Sequence, residues 1–173
     1  YPHALDFFKA GHDWRQRLFC AANRIGKTYT AAYEVALHAT GMYELFEQGG
    51  EKWEGKRFDT PIKIWVVGES AKSVKTILQQ ELIGNFNDQG SGQIPKHLIT
   101  KVVNKPGNPE CIDTVYVKHF TDGIYDGETQ IDFMAYEQGP TKFQGTSIHV
   151  IWMDEEADNI MIKVECATRT MKT

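Results

Sequence analysis

The stretch Ala21-Ala22-Asn23-Arg24-Ile25-Gly26-Lys27-Thr28 constrains this chain more than any other. It follows the apolar run Leu18-Phe19-Cys20 and opens a helix-like run from Thr28 to His38. Strand, tight loop, Gly-Lys-Thr and helix, in that order, is the layout of a phosphate-binding loop. Backbone N–H groups and the helix N-terminus then face the phosphates. Lys27 adds a point charge at the β- and γ-phosphates, and the Thr28 hydroxyl is a ligand for Mg²⁺. The usual pattern begins with Gly, where this chain has Ala21. A bare Gly-Lys-Thr also arises by chance, so a second motif has to decide.

That motif is Ile148-His149-Val150-Ile151-Trp152-Met153-Asp154-Glu155-Glu156, an apolar strand ending in acids. An acidic pair at the carboxyl end of a buried parallel strand sits beside the phosphate loop in this class of fold. Asp154 is expected to hold Mg²⁺, directly or through water. Glu155 is expected to orient or deprotonate the attacking water, as a general base does. The plainer reading is a buried strand followed by an acidic helix cap, since Asp and Glu favour helix N-termini. The Gly-Lys-Thr far upstream tips the balance to ATP hydrolysis.

Length and composition bound the rest. A chain of 173 residues is expected to form one domain with a sizeable core. No apolar run approaches a membrane span and no signal peptide is visible. Cys20, Cys111 and Cys166 are far apart with no CxxC pair, which argues against a zinc site or disulfide framework and for a reducing compartment. The formal charge of −4 excludes a generically basic nucleic-acid binder, though not a local DNA-contacting patch. The chain starts without Met and stops without a closing element, so both ends are expected to be cut.

Residues 1–16 read as a mostly helical lead-in anchored by Phe7, Phe8 and Trp14, and 17–22 as the first strand. A helix is expected from Gly26 to about Thr40, stopped by Gly41. Residues 43–61 form a polar connection pinned by Trp53 and Phe58. Residues 62–67 are apolar and β-branched, a central strand. Ser70 caps a helix to about Leu82, ended by Gly84, and 85–95 is a loop. Residues 112–120 and 130–136 are strands, with Asp122-Gly123 and Asp126-Gly127 marking a hairpin-like turn. Residues 137–147 are a loop or short helix. The acidic strand follows, then a helix over about 159–169. Strands alternating with helices predict an α/β fold: three layers around a largely parallel sheet.

With these residues in place, the chain resembles the ATPase domain of a tailed-phage terminase large subunit. The resemblance runs through Phe7-Phe8-Lys9-Ala10-Gly11, Asn23 to Thr28, His38-Ala39-Thr40-Gly41 and Trp53-Glu54-Gly55-Lys56-Arg57-Phe58. It continues through Tyr136-Glu137-Gln138-Gly139, Lys142-Phe143-Gln144-Gly145-Thr146, Trp152 to Glu156 and Thr168-Arg169-Thr170. Each piece is weak alone; the ordered set is specific and covers nearly the whole chain. Ala21 fits, because phosphate loops of this family often depart from the usual string. The resemblance implies a P-loop NTPase of the additional-strand, catalytic-glutamate type over residues 1–173, truncated at its C-terminus. It implies a DNA-packaging motor that uses ATP and Mg²⁺ and acts on double-stranded DNA. It further implies a homo-oligomeric ring on the portal protein, a small-subunit partner, no membrane, and a place in the host cytoplasm, docked transiently on the procapsid. The family's additional strand and nuclease domain lie outside these 173 residues, so DNA cleavage is not assigned to this chain. The rival readings are a helicase- or recombinase-like ATPase of the same fold and a non-hydrolysing nucleotide-binding scaffold, which would not need Glu155.

Several residues stay open between two roles. Arg24, inside the loop, is expected to approach the γ-phosphate, against a surface salt bridge. Asn23 supports the turn, because Asn tolerates unusual φ. Gln16 precedes the first strand, where related motors contact adenine; a solvated helix end is the other reading. Glu156 is expected to be a helix-cap acid. Lys142, Gln144 and Thr146 lie in a loop that is either a structured turn or a DNA or subunit contact. The family's arginine donated in trans has Arg57 and Arg169 as candidates by elimination. The six histidines show no ligand spacing, and the four tryptophans are expected to be packing anchors.

Overall fold

The computed structural model describes residues 2–22 and 24–170. Helix α1 is Pro2–Asp13, α2 Lys27–Thr40 and the short α3 Tyr43–Glu47. Strand β1 is Lys63–Gly68. Helix α4 spans 71–83 and carries a widened, π-type turn over Val74–Gln79. Strands β2 Ile99–Lys105, β3 Asn108–Thr121 and β4 Ile124–Ala135 follow, then β5 Val150–Met153 and helix α5 Ile160–Arg169. No described helix is long and apolar enough to cross a membrane.

The strands form one sheet in the order β2-β3-β4-β1-β5. Strand β1 pairs in parallel with both β4 and β5, whereas the β2–β3 and β3–β4 pairs are antiparallel. The expected largely parallel sheet is therefore corrected to a mixed one. The reason is the hairpin turn Asp122-Gly123, with φ of 51° and 77°. Positive φ at both central residues matches the right-handed twist of the two strands it joins. Asp126-Gly127 is not part of that turn. It lies in β4 at a register shift opposite His119, and the Asp126 carboxylate accepts from His119 Nδ1 and Thr121 Oγ1, each at 2.7 Å.

Side-chain alternation divides the sheet between two cores. Ile64, Val66, Ile131, Phe133 and Ala135 face α2 and α4; Trp65, Val67, Met134 and Tyr136 face α5 and the turn at 140–143. Period-2 strands with both faces apolar require cover on both sides, so three layers result. Helix α2 is itself covered twice. Ala32, Val35, Ala36 and Ala39 meet the sheet, while Leu37 joins Ala4 and Phe8 of α1 with Tyr43 and Trp53. Trp65, Trp53 and Trp152 are buried as expected, but Trp14 is 67% exposed and is not a core anchor.

The expected strand at 17–22 is the largest departure. Phe19 and Ala21 are half-buried while Leu18, Cys20 and Ala22 are exposed, the alternation of a strand. Among the described residues the segment nevertheless belongs to no ladder, and β5, the sheet edge, pairs there only with β1. Propensity and alternation make an extended chain; a strand also needs a neighbour to satisfy its N–H and C=O groups.

Gly41 closes α2 in the left-handed region (φ 68°), its N–H donating to Leu37 O. A Cβ there would lie 2.0 Å from Phe120 O, whereas at Gly50 (φ 93°) it would meet open space. Gly41→Ala should lower the unfolding free energy by about 2–4 kcal/mol, combining backbone strain with overpacking. Gly50→Ala should cost about 1 kcal/mol from strain alone. Urea denaturation of the two variants checks this; equal losses would show that β3 yields to the added methyl.

Candidate functional site

Helix α2 starts abruptly. Its cap is Gly26, left-handed at φ 85°, with no side-chain hydrogen bond to the first turn. The first N–H groups of a helix have no intrahelical partner, so those of α2 face the loop that leads into it. Arg24 is exposed and left-handed too, at φ 65°. Asn23 lies outside the described residues. Lys27 folds back over the loop, its Nζ donating to Ala21 O at 2.7 Å and Ala22 O at 3.1 Å. The ammonium is thereby fixed above the loop rather than extended into solvent.

The acidic strand arrives at the same place. The Asp154 N–H donates to Val67 O at 2.8 Å, continuing the parallel pairing one residue past β5. This brings the Asp154 carboxylate to Thr28: Oγ1 lies 3.5 Å from Oδ1, between residues 126 positions apart in the chain. Asp154 is partly buried. Burial, then the neighbouring Glu155 carboxylate, push its pKa above the usual Asp range; hydrogen bonds to Thr28 and Trp152 and the charge of Lys27 oppose this. A half-buried carboxylate beside an alcohol offers a cation hard oxygen donors, the set that suits Mg²⁺. Among the described residues no group of three or more His, Cys, Asp or Glu is placed to hold a metal. A cation here would thus have two protein oxygens, and water or a ligand's phosphates would complete its shell, as Mg²⁺ sites commonly arrange it.

Glu155 is exposed and left-handed, at φ 63°. A non-Gly residue in that region costs on the order of 1–3 kcal/mol and persists only where its surroundings impose it. Tyr136 imposes it. Its buried hydroxyl shares one proton between Asp154 O (3.3 Å) and Glu155 O (3.1 Å), tying both carbonyls to one point. Burial holds the Tyr136 pKa far above the ordinary tyrosine value, so it stays a donor. Sequence reasoning flagged the Tyr136-Glu137-Gln138-Gly139 string without finding this role. Its neighbours serve the same corner: Glu137 Oε1 accepts from Ala71 N at 2.7 Å, capping α4, and Gln138 Oε1 accepts from Ala135 N at 3.0 Å.

The remaining expected residues fall outside this cluster. Gln16 is exposed on the extended segment before the loop. Glu156 is not the helix cap; it pairs with Lys163, and Asn159 Oδ1 caps α5 by accepting from Met161 N at 2.9 Å. Asn at this position is the better cap because its short side chain reaches the second N–H. Gln144 donates to Glu165 at 3.1 Å, while Lys142 and Thr146 are exposed. Arg57 pairs with Glu47 at 2.6 Å and lies over the Tyr43 ring; Arg169 pairs with Glu165 at 2.8 Å. His149 Nδ1 accepts from Lys63 N at 3.1 Å, a structural bond beside β1.

An α/β domain whose Gly-Lys-Thr helix and acidic strand end meet at one corner defines the class, and comparison with known proteins gives the family. The chain belongs to the phage terminase large subunits, at their N-terminal domain: residues 18–173 match the family described as terminase large subunit, T4likevirus-type, N-terminal. It is 40% identical over 183 residues to the terminase large subunit of Salmonella phage P22, covering 99% of this chain and 36% of that protein. The chain thus spans about a third of the relative's length. No solved structure matches it.

The raised Asp154 pKa sets a pH dependence. A carboxyl whose folded pKa exceeds its unfolded value binds protons more tightly in the native state. It therefore opposes folding at high pH, and relieves that cost as pH falls through the folded pKa. Asp154→Asn should raise the melting temperature of the ligand-free protein at pH 8, with the gain shrinking toward zero below pH 4. Thermal melts across that range test it; a variant less stable than wild type at pH 8 would contradict the assignment.

Proposed function

We propose that this chain is the ATP-hydrolysing motor domain of a phage terminase large subunit, a P-loop NTPase that uses Mg²⁺ to drive packaging of double-stranded DNA. The observation that carries it is the approach of Thr28 to Asp154 across 126 positions, beside a lysine held over the loop by Ala21 and Ala22. Residues 21–28 would cradle the phosphates with backbone N–H groups, with Gly26 permitting the sharp entry into α2. Lys27 would exchange its carbonyl partners for the β- and γ-phosphates and neutralise charge there. Arg24, exposed on the loop, would approach the γ-phosphate. Thr28 and Asp154 would hold Mg²⁺, which supplies charge stabilisation at the transferring phosphoryl group. Glu155, carried past the strand end by its left-handed backbone, would orient the water and take its proton. Gln16 would lie toward the adenine. A homo-oligomeric ring on the portal protein, a small terminase subunit, and action in the host cytoplasm on the procapsid complete the reading, which rests on the family. The trans-acting arginine would have to leave an ion pair, whether it is Arg57 or Arg169.

Lys27→Ala should abolish ATP binding, measured by fluorescence anisotropy of a labelled nucleotide. Glu155→Gln should leave binding within a few-fold of wild type and cut phosphate release by about a hundredfold or more, the scale of general-base loss. A Glu155→Gln variant that turns over at the wild-type rate would sink the catalytic role and favour a nucleotide-binding scaffold.

DNA binding by this chain should be weak and fall steeply with salt, because the net charge is −4 and phosphate contacts would supply nearly all of it. Anisotropy titrations at two salt concentrations decide this; tight, salt-insensitive, sequence-specific binding would contradict a motor that gathers its contacts from several subunits.

A further inference from the structure

One largely buried polar cluster lies outside the site just described yet joins the segment that enters the loop to the helix that leaves it. Arg17 lies in the extended segment that leads to the loop, and Glu34 lies in the middle of α2. Arg17 Nη1 donates to Glu34 Oε1 at 2.9 Å and Nη2 donates to Oε2 at 3.2 Å, a two-pronged pair across 17 positions. Nη1 also donates to Phe7 O at 2.6 Å, and the guanidinium lies over the Phe7 ring, 4.3 Å from its centroid. The seat is built for it: a Cβ on Gly11 of α1 would stand 2.9 Å from the guanidinium carbon. Glu34 is 5% exposed. Burial alone would raise its pKa, but His38 and Arg17 together hold it below the ordinary Glu value. The far side is ordered as well. Tyr43 Oη accepts from Phe58 N at 3.1 Å and is hydrogen-bonded to His38 Nδ1 at 3.0 Å. On the other edge of the ring, His38 Nε2 lies 3.6 Å from Glu34 Oε1.

A buried ion pair is weak evidence for stability, because its desolvation roughly cancels its attraction. Placement is the better clue. The pair staples the chain entering the loop to the helix leaving it, and Lys27 makes a second tie to Ala21 and Ala22 nearer the loop. Between these ties, residues 18–20 have no strand neighbour among the described residues. We infer that the Arg17–Glu34 pair, seated against Gly11, is a positioning clasp that sets the shape of the phosphate loop. This rests on the nucleotide reading of that loop, but the clasp itself is measurable without nucleotide.

The test is the double substitution Arg17→Met/Glu34→Leu, since apolar replacement of both partners of a buried pair commonly preserves the fold. Melting temperature should stay close to wild type. In nucleotide-free protein, amide exchange across residues 21–28 should rise on the order of tenfold while β1 and β4 are unchanged. Affinity for ATP and for tripolyphosphate alike should fall about tenfold or more, because a displaced cradle misplaces every phosphate contact. A stable double variant with wild-type loop exchange overturns the clasp. If wild-type protein binds neither probe, the nucleotide reading fails while the exchange measurement still decides the clasp. If the double variant does not fold, Gly11→Ala takes its place, pressing the guanidinium off its seat with both charges retained. Raised loop exchange then supports the clasp and unchanged exchange overturns it.

Discussion

The close contact between α2 and the sheet is the constraint on which the rest hangs. Ala32, Ala36 and Ala39 carry so little side chain that the helix backbone can approach β3 and β4, and Ile64, Val66, Ile131 and Phe133 fill the space around them. Larger residues there would lift the helix, because cores packed at crystal density do not absorb added volume. The opposite side of α2 is gripped by α1 and Trp53, so the helix has little freedom to roll or slide. Its first turn is therefore delivered to one spot, beside the carboxyl end of β5. Thr28 meets Asp154 there because two rigid elements end there.

The other half of that corner is less relaxed. Glu155 holds a backbone conformation that glutamate avoids, under two carbonyls tied to Tyr136. Tyr136 follows directly after β4, Asp154 directly after β5, and β1 lies between those strands. The pin therefore reaches across β1 and makes the two strand ends one unit. Strain at an exposed acid, imposed by a buried hydroxyl, is the kind of local cost that folds keep where geometry matters more than stability.

Much of this was legible in the sequence wherever a local rule decides. Gly41, Ser70, Gly84 and Asn159 sit at helix ends, and the helices start or stop there. The runs around Trp65 and Trp152 are apolar on both faces and became β1 and β5. Strand β2 was missed because Lys101, Asn104 and Lys105 on an edge strand give no clean apolar alternation. Parallel and antiparallel pairing depend on which strand lies adjacent, which alternation does not encode, so the antiparallel β2-β3-β4 arm was not foreseen. For the same reason residues 17–22 carry a strand pattern without a strand. The convergence of Lys27, Thr28 and Asp154 on one corner was readable because their residue types in that pattern are tied to a chemistry. Tyr136, Arg17 and Glu34 were not, since each acts through a partner far away in the chain.

The open edge of the sheet gives the acids after β5 a second physical meaning. Residues 148–153 are six consecutive positions of which only His149 is polar, and β5 presents one unpaired row of backbone groups. Such a window, with no proline and no charge, is a template for intermolecular strand addition. What interrupts it is Asp154-Glu155-Glu156, negative charge placed directly against its end. Flanking charges of this kind act as gatekeepers, raising the cost of stacking one copy on another. The acidic run thus guards the colloidal behaviour of the protein as well as its corner, and solubility is one reason a neutral replacement there would be felt even in the absence of any ligand.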